Sequence, residues 1–321
     1  MWDFNLSKAI GILIKTWPFI AFRMIVYFGI ALGYLLAVGT GAGTGWLLHY
    51  LSSDPDAGTT YTAWGGIAGF GLISAVLYWV REYILYLVKA GHIAVMVELL
   101  DGRAIPNGRG QIDYAQAMVR ERFAEASVLF AIDQLVKGVV GAITGTVQAI
   151  GSFLPVPGID TVLKFVNSVV RVSLTYVDEL ILGYMFRLRT ENPYATGRDG
   201  LVLFAQNYWS FVKNAISVTL VMYVMTLIIF IVVLAPALAL AAILPGAWTA
   251  WGIIIAAIFA FSFKAAFLEP LAIACLMQVY FKKIEGQVPD PVWDGRLQQL
   301  SRKFQELKEK ALGAGPRPQA A

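Results

Sequence analysis

The sequence has few charged residues, one cysteine and two histidines. Charged residues make up 14% of the 321 positions, whereas a soluble globular domain has about 25%. The single cysteine, Cys275, excludes a disulfide framework and a multi-thiolate metal site. His49 and His92 lie far apart in the chain and do not form a metal-binding pattern. We therefore expect no metal and no cofactor.

Signatures of catalysis and of secretion are also missing. The sequence contains no H-E-x-x-H, no G-x-S-x-G and no Walker A motif. It has no pair of nucleophile and base that the sequence can place together, so we do not expect an enzyme. The N-terminus lacks the ordered regions of a cleaved signal peptide, and the first span is expected to serve as its own insertion signal.

Long apolar runs dominate the sequence. Hydrophobic residues make up 58% of the chain and the mean hydropathy is +0.66. A span needs about 20 predominantly apolar residues to cross a hydrocarbon core of about 30 Å. This predicts an all-α integral membrane protein with six transmembrane helices in three hairpins and with interfacial amphipathic helices. The predicted spans cover residues 19–51, 61–80, 126–154, 159–186, 215–244 and 248–281.

Outside the spans, the sequence predicts an N-terminal interfacial amphipathic helix over 1–18 and a C-terminal amphipathic helix over 291–312. The six-span domain covers 19–290, and the Gly-, Pro- and Ala-rich segment 313–321 is predicted to be disordered. Three amphipathic stretches, 6–16, 112–125 and 201–214, each precede a hairpin. We expect them to lie in the inner interface with Trp and Phe pointing into lipid.

The basic residues are distributed asymmetrically. Eighteen of the 25 Lys and Arg residues lie in the N-terminal stretch, in the loops after the second and fourth predicted spans, and in the tail. By the positive-inside rule, both termini are cytoplasmic. The expected location is the cell membrane, or the inner membrane in a bacterium, as a multi-pass protein. Orientation of the basic loops in the membrane explains the net charge of +4 better than binding to nucleic acid does. We therefore expect the lipid bilayer, and no nucleic acid, as a partner.

A weak internal repeat of about ninety residues supports the hairpin plan. Residues 114–116 (YAQ) align with 204–206 (FAQ), and Ser127-Val128 aligns with Ser217-Val218. Trp17 and Phe19 fall similarly onto Trp209 and Phe211. The first and third hairpins also close alike, with Leu-Asp-Gly at 100–102 and Ile-Glu-Gly at 284–286.

Small residues four positions apart allow two helix backbones to approach closely in lipid. The first span carries such a run at Gly39 and Gly43, and the second span carries one at Gly65 and Gly69. We expect these glycines to pack the two spans against each other. A phosphate-binding loop is excluded at Gly39–Gly45, because the lysine and the preceding strand are absent.

Ionisable residues within the apolar segments are the most informative feature. Such residues normally face a partner or a wet cavity, because a charge at mid-membrane costs about 2.5–3.5 kcal/mol on insertion scales. The third and fourth spans each carry a polar stripe, and the last span carries a further group with a proline kink after Glu269. The candidate residues of a substrate pathway are Asp133, Lys137, Lys164, Asn167, Arg171, Thr175, Asp178, Glu179, Lys264 and Glu269. A closed salt-bridge zipper that conducts nothing is the alternative interpretation.

From Gly102 to Lys303, the chain resembles the C-terminal membrane region of the choline-transporter-like proteins. The stretches that carry the resemblance are 161–183, 196–214 and 262–302. The family has ten spans and a large cysteine-bearing outer loop, neither of which this sequence has. The resemblance implies a carrier of small solutes and identifies no ligand residue here.

These observations predict a membrane carrier or channel-like protein for a small polar or cationic solute. A non-transporting membrane scaffold or a lipid-binding protein, oligomeric or not, is the alternative. A homo-oligomeric ion channel would use the same polar stripes around a symmetry axis.

Overall fold

The structure is a computed structural model and describes residues 2–52, 57–104, 110–123, 126–152, 174–189, 191–243 and 247–313. Every regular element in these ranges is helical, and a single 3-10 turn covers His49–Leu51. The helices are α1 (Leu6–Lys15), α2 (Trp17–Leu48), α3 (Ala57–Leu100), α4 (Gln111–Phe123), α5 (Ala126–Ser152), α6 (Val177–Leu188), α7 (Pro193–Gln206), α8 (Tyr208–Ile243), α9 (Ala247–Ile284), α10 (Pro291–Leu300) and α11 (Arg302–Gly313).

Four segments of the described chain are long and apolar enough to cross a membrane. They are Trp17–Leu51, Val128–Gly145, Tyr208–Val232 and Ala256–Ile284. The protein is therefore a multi-pass helical membrane protein, and four of the six predicted spans overlap these segments. The predicted span 61–80 lies inside α3, which is not among the four. Residues 159–173 of the predicted span 159–186 lie outside the described residues.

The chain divides into two compact units. Unit 1 consists of Met1–Phe19, Lys89–Leu227 and Phe267–Ala321, and unit 2 consists of Ile20–Val88 and Ile228–Ala266. The long helices α2, α3, α8 and α9 contribute residues to both units. With 44 residues, α3 is about 66 Å long at 1.5 Å per residue, which exceeds the thickness of a hydrocarbon core.

Unit 2 exposes large apolar side chains on its helices. Ile25, Leu36, Leu72 and Ile231 are each more than half exposed. A helix that is apolar on all sides suits a lipid environment, where lipid tails replace the protein core. Aromatic contacts inside the unit join α2 to α3, where the rings of Tyr34 and Phe70 lie 5.4 Å apart.

Glycines form the closest approach within unit 2. A Cβ added at Gly41, Gly45, Gly65 or Gly69 would come well under 3.0 Å from a carbonyl oxygen of the facing helix. These four glycines therefore bring the backbones of α2 and α3 into direct contact. The prediction holds for Gly65 and Gly69 but is wrong for Gly39 and Gly43, around which an added Cβ meets nothing within 4 Å.

The geometry of the helix explains that difference. Successive residues are about 100° apart around a helix, so positions two apart point to nearly opposite sides. In the run from Gly39 to Gly45 every second residue is a glycine, and both sides of α2 carry small residues. The side with Gly41 and Gly45 faces α3, and the side with Gly39 and Gly43 does not.

Unit 1 has a continuous buried core. Three segments are almost completely buried: Ala90–Val97 in the last turns of α3, Leu201–Ala205 in the second half of α7, and Leu271–Met277 of α9. The buried Tyr280 hydroxyl donates a hydrogen bond to the Gly200 carbonyl oxygen at 2.9 Å. This bond provides a partner for the Tyr280 hydroxyl, which would otherwise be buried without one.

A short helix, a break and a long helix occur twice with nearly the same geometry. Thr16 separates α1 from α2 with φ −101° and ψ 24°, and Asn207 separates α7 from α8 with φ −108° and ψ 12°. The residues that follow also match, because Trp17 and Trp209 are exposed whereas Phe19 and Phe211 are buried.

Two predictions about these segments are wrong. The stretch 201–214 is not one interfacial helix, because α7 ends at Gln206 and its apolar residues Leu201–Ala205 are buried inside unit 1. Phe211 does not point into lipid, since its ring is packed against protein. The Phe211 ring lies 4.5 Å from that of Phe204 and 5.7 Å from that of Tyr280.

Three helices of the described chain, α3, α6 and α9, are each followed within two residues by a residue with positive φ. Gly102 follows α3 with φ 75°, Arg189 follows α6 with φ 51°, and Gly286 follows α9 with φ 71°. Glycine adopts this left-handed conformation without a steric penalty and commonly terminates helices, whereas arginine does so at some cost.

The C-terminal region forms two helices where the sequence predicts one over 291–312. Ser301 interrupts them in an extended conformation, and its hydroxyl accepts a hydrogen bond from the Phe304 amide at 3.4 Å. The break turns the apolar side of α11 onto α5 and α7, where Phe304 and Leu307 are completely buried. Residues 314–321, most of the predicted disordered tail, lie outside the described residues.

Candidate functional site

Charged side chains from four helices of unit 1 meet in what we call the acidic cluster, which consists of Lys89, Asp133, Lys137, Asp178, Glu179 and Glu269. α5 supplies Asp133 and Lys137, and the first turn of α6 supplies Asp178 and Glu179. Carboxylates are stabilised there, because the N-terminus of a helix carries a partial positive charge. Lys89 comes from α3 and Glu269 from α9.

Each lysine of the acidic cluster bridges two carboxylates. Lys137 Nζ lies 2.8 Å from Asp133 Oδ2 on its own helix and 3.8 Å from Asp178 Oδ2. Lys89 Nζ lies 3.3 Å from Glu179 Oε1 and 3.9 Å from Glu269 Oε2. These contacts link α3, α5, α6 and α9 through charge.

Two carboxylates of the acidic cluster, Asp133 and Glu179, are buried more deeply than its lysines. The side chains of Asp133 and Glu179 are 5% and 7% exposed, whereas those of Lys137 and Lys89 are 41% and 28% exposed. Glu269 is 29% exposed. The cluster therefore opens to its surroundings on the lysine and Glu269 side and is closed at Glu179.

One oxygen of Glu179 has no hydrogen-bond partner. Glu179 Oε2 is buried and accepts no hydrogen bond in the described part of the chain. Four carboxyl groups and two lysines make up the part of the cluster that the structure describes, so carboxyl groups outnumber lysines there. A buried carboxylate oxygen without a partner is costly, and an added cation would compensate for it.

The acidic cluster contains five of the ten predicted pathway residues: Asp133, Lys137, Asp178, Glu179 and Glu269. Thr175 is exposed one turn before α6, and Lys264 belongs to unit 2. The predicted residues Lys164, Asn167 and Arg171 lie outside the described residues.

Sequence reasoning did not select Lys89 as a pathway residue. Its signal was weak, because a single lysine in the apolar stretch after residue 83 resembles a residue at the membrane interface. Its two partners follow 90 and 180 positions later in the chain, so no local pattern connects them.

A second group of charges fastens the ends of α3 and α6 and was also missed. Arg187 Nε and one terminal nitrogen lie 3.1 and 3.0 Å from the two oxygens of Asp101. Arg103 contacts both Asp101, at 2.9 Å, and Glu98, at 2.7 Å. Such paired arginine–carboxylate contacts are geometrically specific, and we interpret this group as structural.

The described carboxylates are not arranged to chelate a metal ion. Within the described ranges, no three His, Cys, Asp or Glu side chains are positioned to hold one. The acidic cluster therefore offers a cation separate carboxylates and not a compact ligand set.

Comparison of the chain with protein-family models, with curated proteins and with solved structures found no match.

Proposed function

We propose that this protein is a membrane carrier or channel-like protein for a small polar or cationic solute, with the acidic cluster as its cation site. The proposal rests on one observation, namely that Glu179 places a buried oxygen without a partner in a cluster with more carboxylates than lysines. Intramembrane ionisable residues commonly mark the paths of ions and substrates.

The same cluster limits the class of cation. A divalent metal requires several oxygen ligands around one point, and the described carboxylates are not arranged in that way. A monovalent or organic cation fits separate carboxylates better. The resemblance to choline-transporter-like proteins makes choline a suitable first probe.

We propose that the chain crosses the membrane six times in three hairpins, with both termini in the cytoplasm. Short helices α1, α4 and α7 each precede a long helix, and the return helices α3, α6 and α9 each end at a residue of positive φ. These common features support three related hairpins.

Cysteine labelling tests this topology. A cysteine at Gly58 should react with an impermeant reagent added outside intact cells, whereas cysteines at Gly110 and Gly313 should react only after permeabilisation. The native Cys275 is buried and should stay silent. Labelling at Gly110 in intact cells would exclude the six-span arrangement.

Cation-driven currents in liposomes test the function. The full-length protein is reconstituted and exposed to concentration jumps of choline, sodium, potassium or ammonium. We expect at least one probe to give a current that Glu179→Gln reduces about tenfold or more, because a carboxylate attracts a cation about 4 Å away by about 4 kcal/mol at an effective dielectric constant of about 20. The exposed Glu191 provides the control, and Glu191→Gln should leave the current unchanged. A wild-type protein that gives no current with any probe would contradict the proposal.

The second candidate is a non-transporting scaffold or a lipid-binding protein. The observation that favours it is that the two bridging lysines connect four helices, as expected for a closed network of salt bridges. In such a network, Lys89→Met leaves buried carboxylates uncompensated and costs about 3–5 kcal/mol, and adding Glu179→Gln restores stability. In a carrier, Lys89→Met also removes the lysine beside the buried Glu179, but choline, sodium or potassium should restore part of the lost stability, because the cluster is open at Glu269. Each variant is therefore unfolded with and without the cation. Thermal unfolding of the single and double variants separates the two functions.

A further inference from the structure

Unit 1 contains an open cavity of about 630 Å³ that is separate from the acidic cluster. It lies where the N-terminal segment meets the last residues of α3, α6 and α9. Its lining carries charges of both signs and aromatic rings, among them Trp2, Lys8, Asp101, Arg187, Lys282 and Glu285. The volume is within the range of about 300–1,000 Å³ that holds small molecules, and it exceeds what a single ion needs.

Two of the cavity's carboxylates are already neutralised by neighbouring cations. Asp101 is held by Arg187 and by Arg103. Asp3 accepts a hydrogen bond from the Asn214 amide at 2.9 Å and lies 3.6 Å from Lys213 Nζ. Both carboxylates therefore already have partners outside the cavity's lysines.

Three charged side chains of the cavity remain available to a ligand. Lys8 Nζ donates a hydrogen bond only to a neutral acceptor, the Leu100 carbonyl oxygen, at 2.9 Å. Lys282 and Glu285 are exposed and make no ion pair or side-chain hydrogen bond with any described residue. The available charges are thus two ammonium groups and one carboxylate.

The aromatic side chains make the cavity suitable for more than an inorganic ion. The Trp2 ring stacks on Phe4 with centroids 5.5 Å apart, and Trp2 is 47% exposed. The Arg187 guanidinium lies 4.5 Å from the centroid of Phe281 and is held there by Asp101. An apolar body next to separated charges is the common composition of a small-molecule site.

We propose that this cavity binds a zwitterionic amino-phosphate group, with the phosphate at Lys8 and Lys282 and the ammonium at Glu285. Lysines bind phosphate as point charges, and hydrogen bonds between ionised groups are about twice as strong as neutral ones. The shared chemistry is that of phosphoethanolamine, which occurs as a phospholipid headgroup and as a soluble compound.

Binding of defined probes to the full-length protein in detergent tests this site by calorimetry. The probes are a short-chain phosphatidylethanolamine, a short-chain phosphatidylglycerol that lacks the amine, O-phosphoethanolamine and inorganic phosphate. The variants are Lys8→Gln, Lys282→Gln and Glu285→Gln. Lys283→Gln is the matched control, because Lys283 is adjacent in α9 but does not line the cavity.

We expect Lys8→Gln and Lys282→Gln each to weaken phosphatidylethanolamine binding about tenfold and Lys283→Gln to leave it unchanged. Glu285→Gln should weaken the amine-bearing probes and spare phosphatidylglycerol. Tighter binding of the short-chain lipid than of O-phosphoethanolamine identifies a lipid site, and equal binding identifies a site for the soluble compound. No saturable binding of either amine-bearing probe, or an equal loss in Lys283→Gln and Lys282→Gln, would overturn the proposal.

Discussion

The contact between α2 and α3 should be highly sensitive to a single methyl group at Gly41. A Cβ at this position would overlap the carbonyl oxygen of Gly65 and also approach the Gly69 Cα to 3.1 Å. Both facing atoms belong to the backbone and cannot rotate away. The two helices must therefore separate, and the contacts on either side of the crossing are weakened as well.

The expected loss of stability follows from two opposing effects. Overpacking of a well-packed contact costs about 1–3 kcal/mol, and occasionally more. Replacing glycine by alanine inside a helix recovers about 1 kcal/mol. Gly41→Ala should therefore lower the free energy of unfolding by up to about 2 kcal/mol net. The double variant with Gly65→Ala should cost less than the sum of the two single changes, because the residues are in contact.

Gly39→Ala is the matched control, since Gly39 lies in the same helix and an added Cβ there meets nothing within 4 Å. It should leave the protein unchanged or stabilise it by up to about 1 kcal/mol through helix propensity alone. Unfolding in a fixed detergent, followed by circular dichroism, provides the comparison. Equal stabilities of Gly41→Ala and Gly39→Ala would refute the close helix contact.

Three further changes test unit 1. Tyr280→Phe removes the hydrogen bond from the Tyr280 hydroxyl to the Gly200 carbonyl oxygen and should lower the unfolding free energy by about 0.5–1.5 kcal/mol. Unchanged stability in unfolding measurements would contradict this. Phe304→Ala removes a completely buried ring and should lower the free energy of unfolding by about 3–5 kcal/mol. A protease should then cleave the C-terminal helices earlier than in the wild type, and cleavage at the wild-type rate would contradict the packing of Phe304. The hydrogen bond from Asn214 holds the pKa of Asp3 below its usual range. The ionised Asp3 side chain therefore contributes fully to stability above about pH 4. That contribution is lost as the pH falls through the lowered pKa. When the free energy of unfolding is measured as a function of pH, it should fall less on acidification in Asn214→Leu than in the wild type.

Much of the fold could be predicted because its signals are local. Apolar runs locate the helices that cross the membrane, and the glycines after Leu100 and Ile284 mark helix ends that the structure places at positive φ. The pairing of Asp133 with Lys137 also follows from their spacing of four residues on one helix.

The features that were missed depend on contacts between distant parts of the chain. Lys89 reaches Glu179 and Glu269 only after the chain has folded back twice. The burial of Phe211 depends on the break at Asn207, which a helical period across 201–214 does not indicate. Hydrophobic periodicity describes one helix at a time, so it does not specify the neighbour of each side.

The pairing of Arg103 and Arg187 with Asp101 illustrates the same difficulty. Arg187 follows Asp101 by 86 positions, and both residues lie in stretches that the sequence assigns to polar inner loops. In such loops, charge determines the orientation in the membrane. The pairing of these arginines with Asp101 can be recognised only in the folded chain, where the ends of α3 and α6 lie side by side.

Infrared difference spectroscopy tests the binding of a cation by the acidic cluster most directly. The reconstituted protein is measured while choline, sodium or potassium is exchanged for the bulky cation N-methylglucamine. The account predicts a carboxylate difference band in the wild type that is lost in Glu179→Gln and retained in Glu191→Gln. An identical band in all three proteins, or no band with any of the cations, would contradict it.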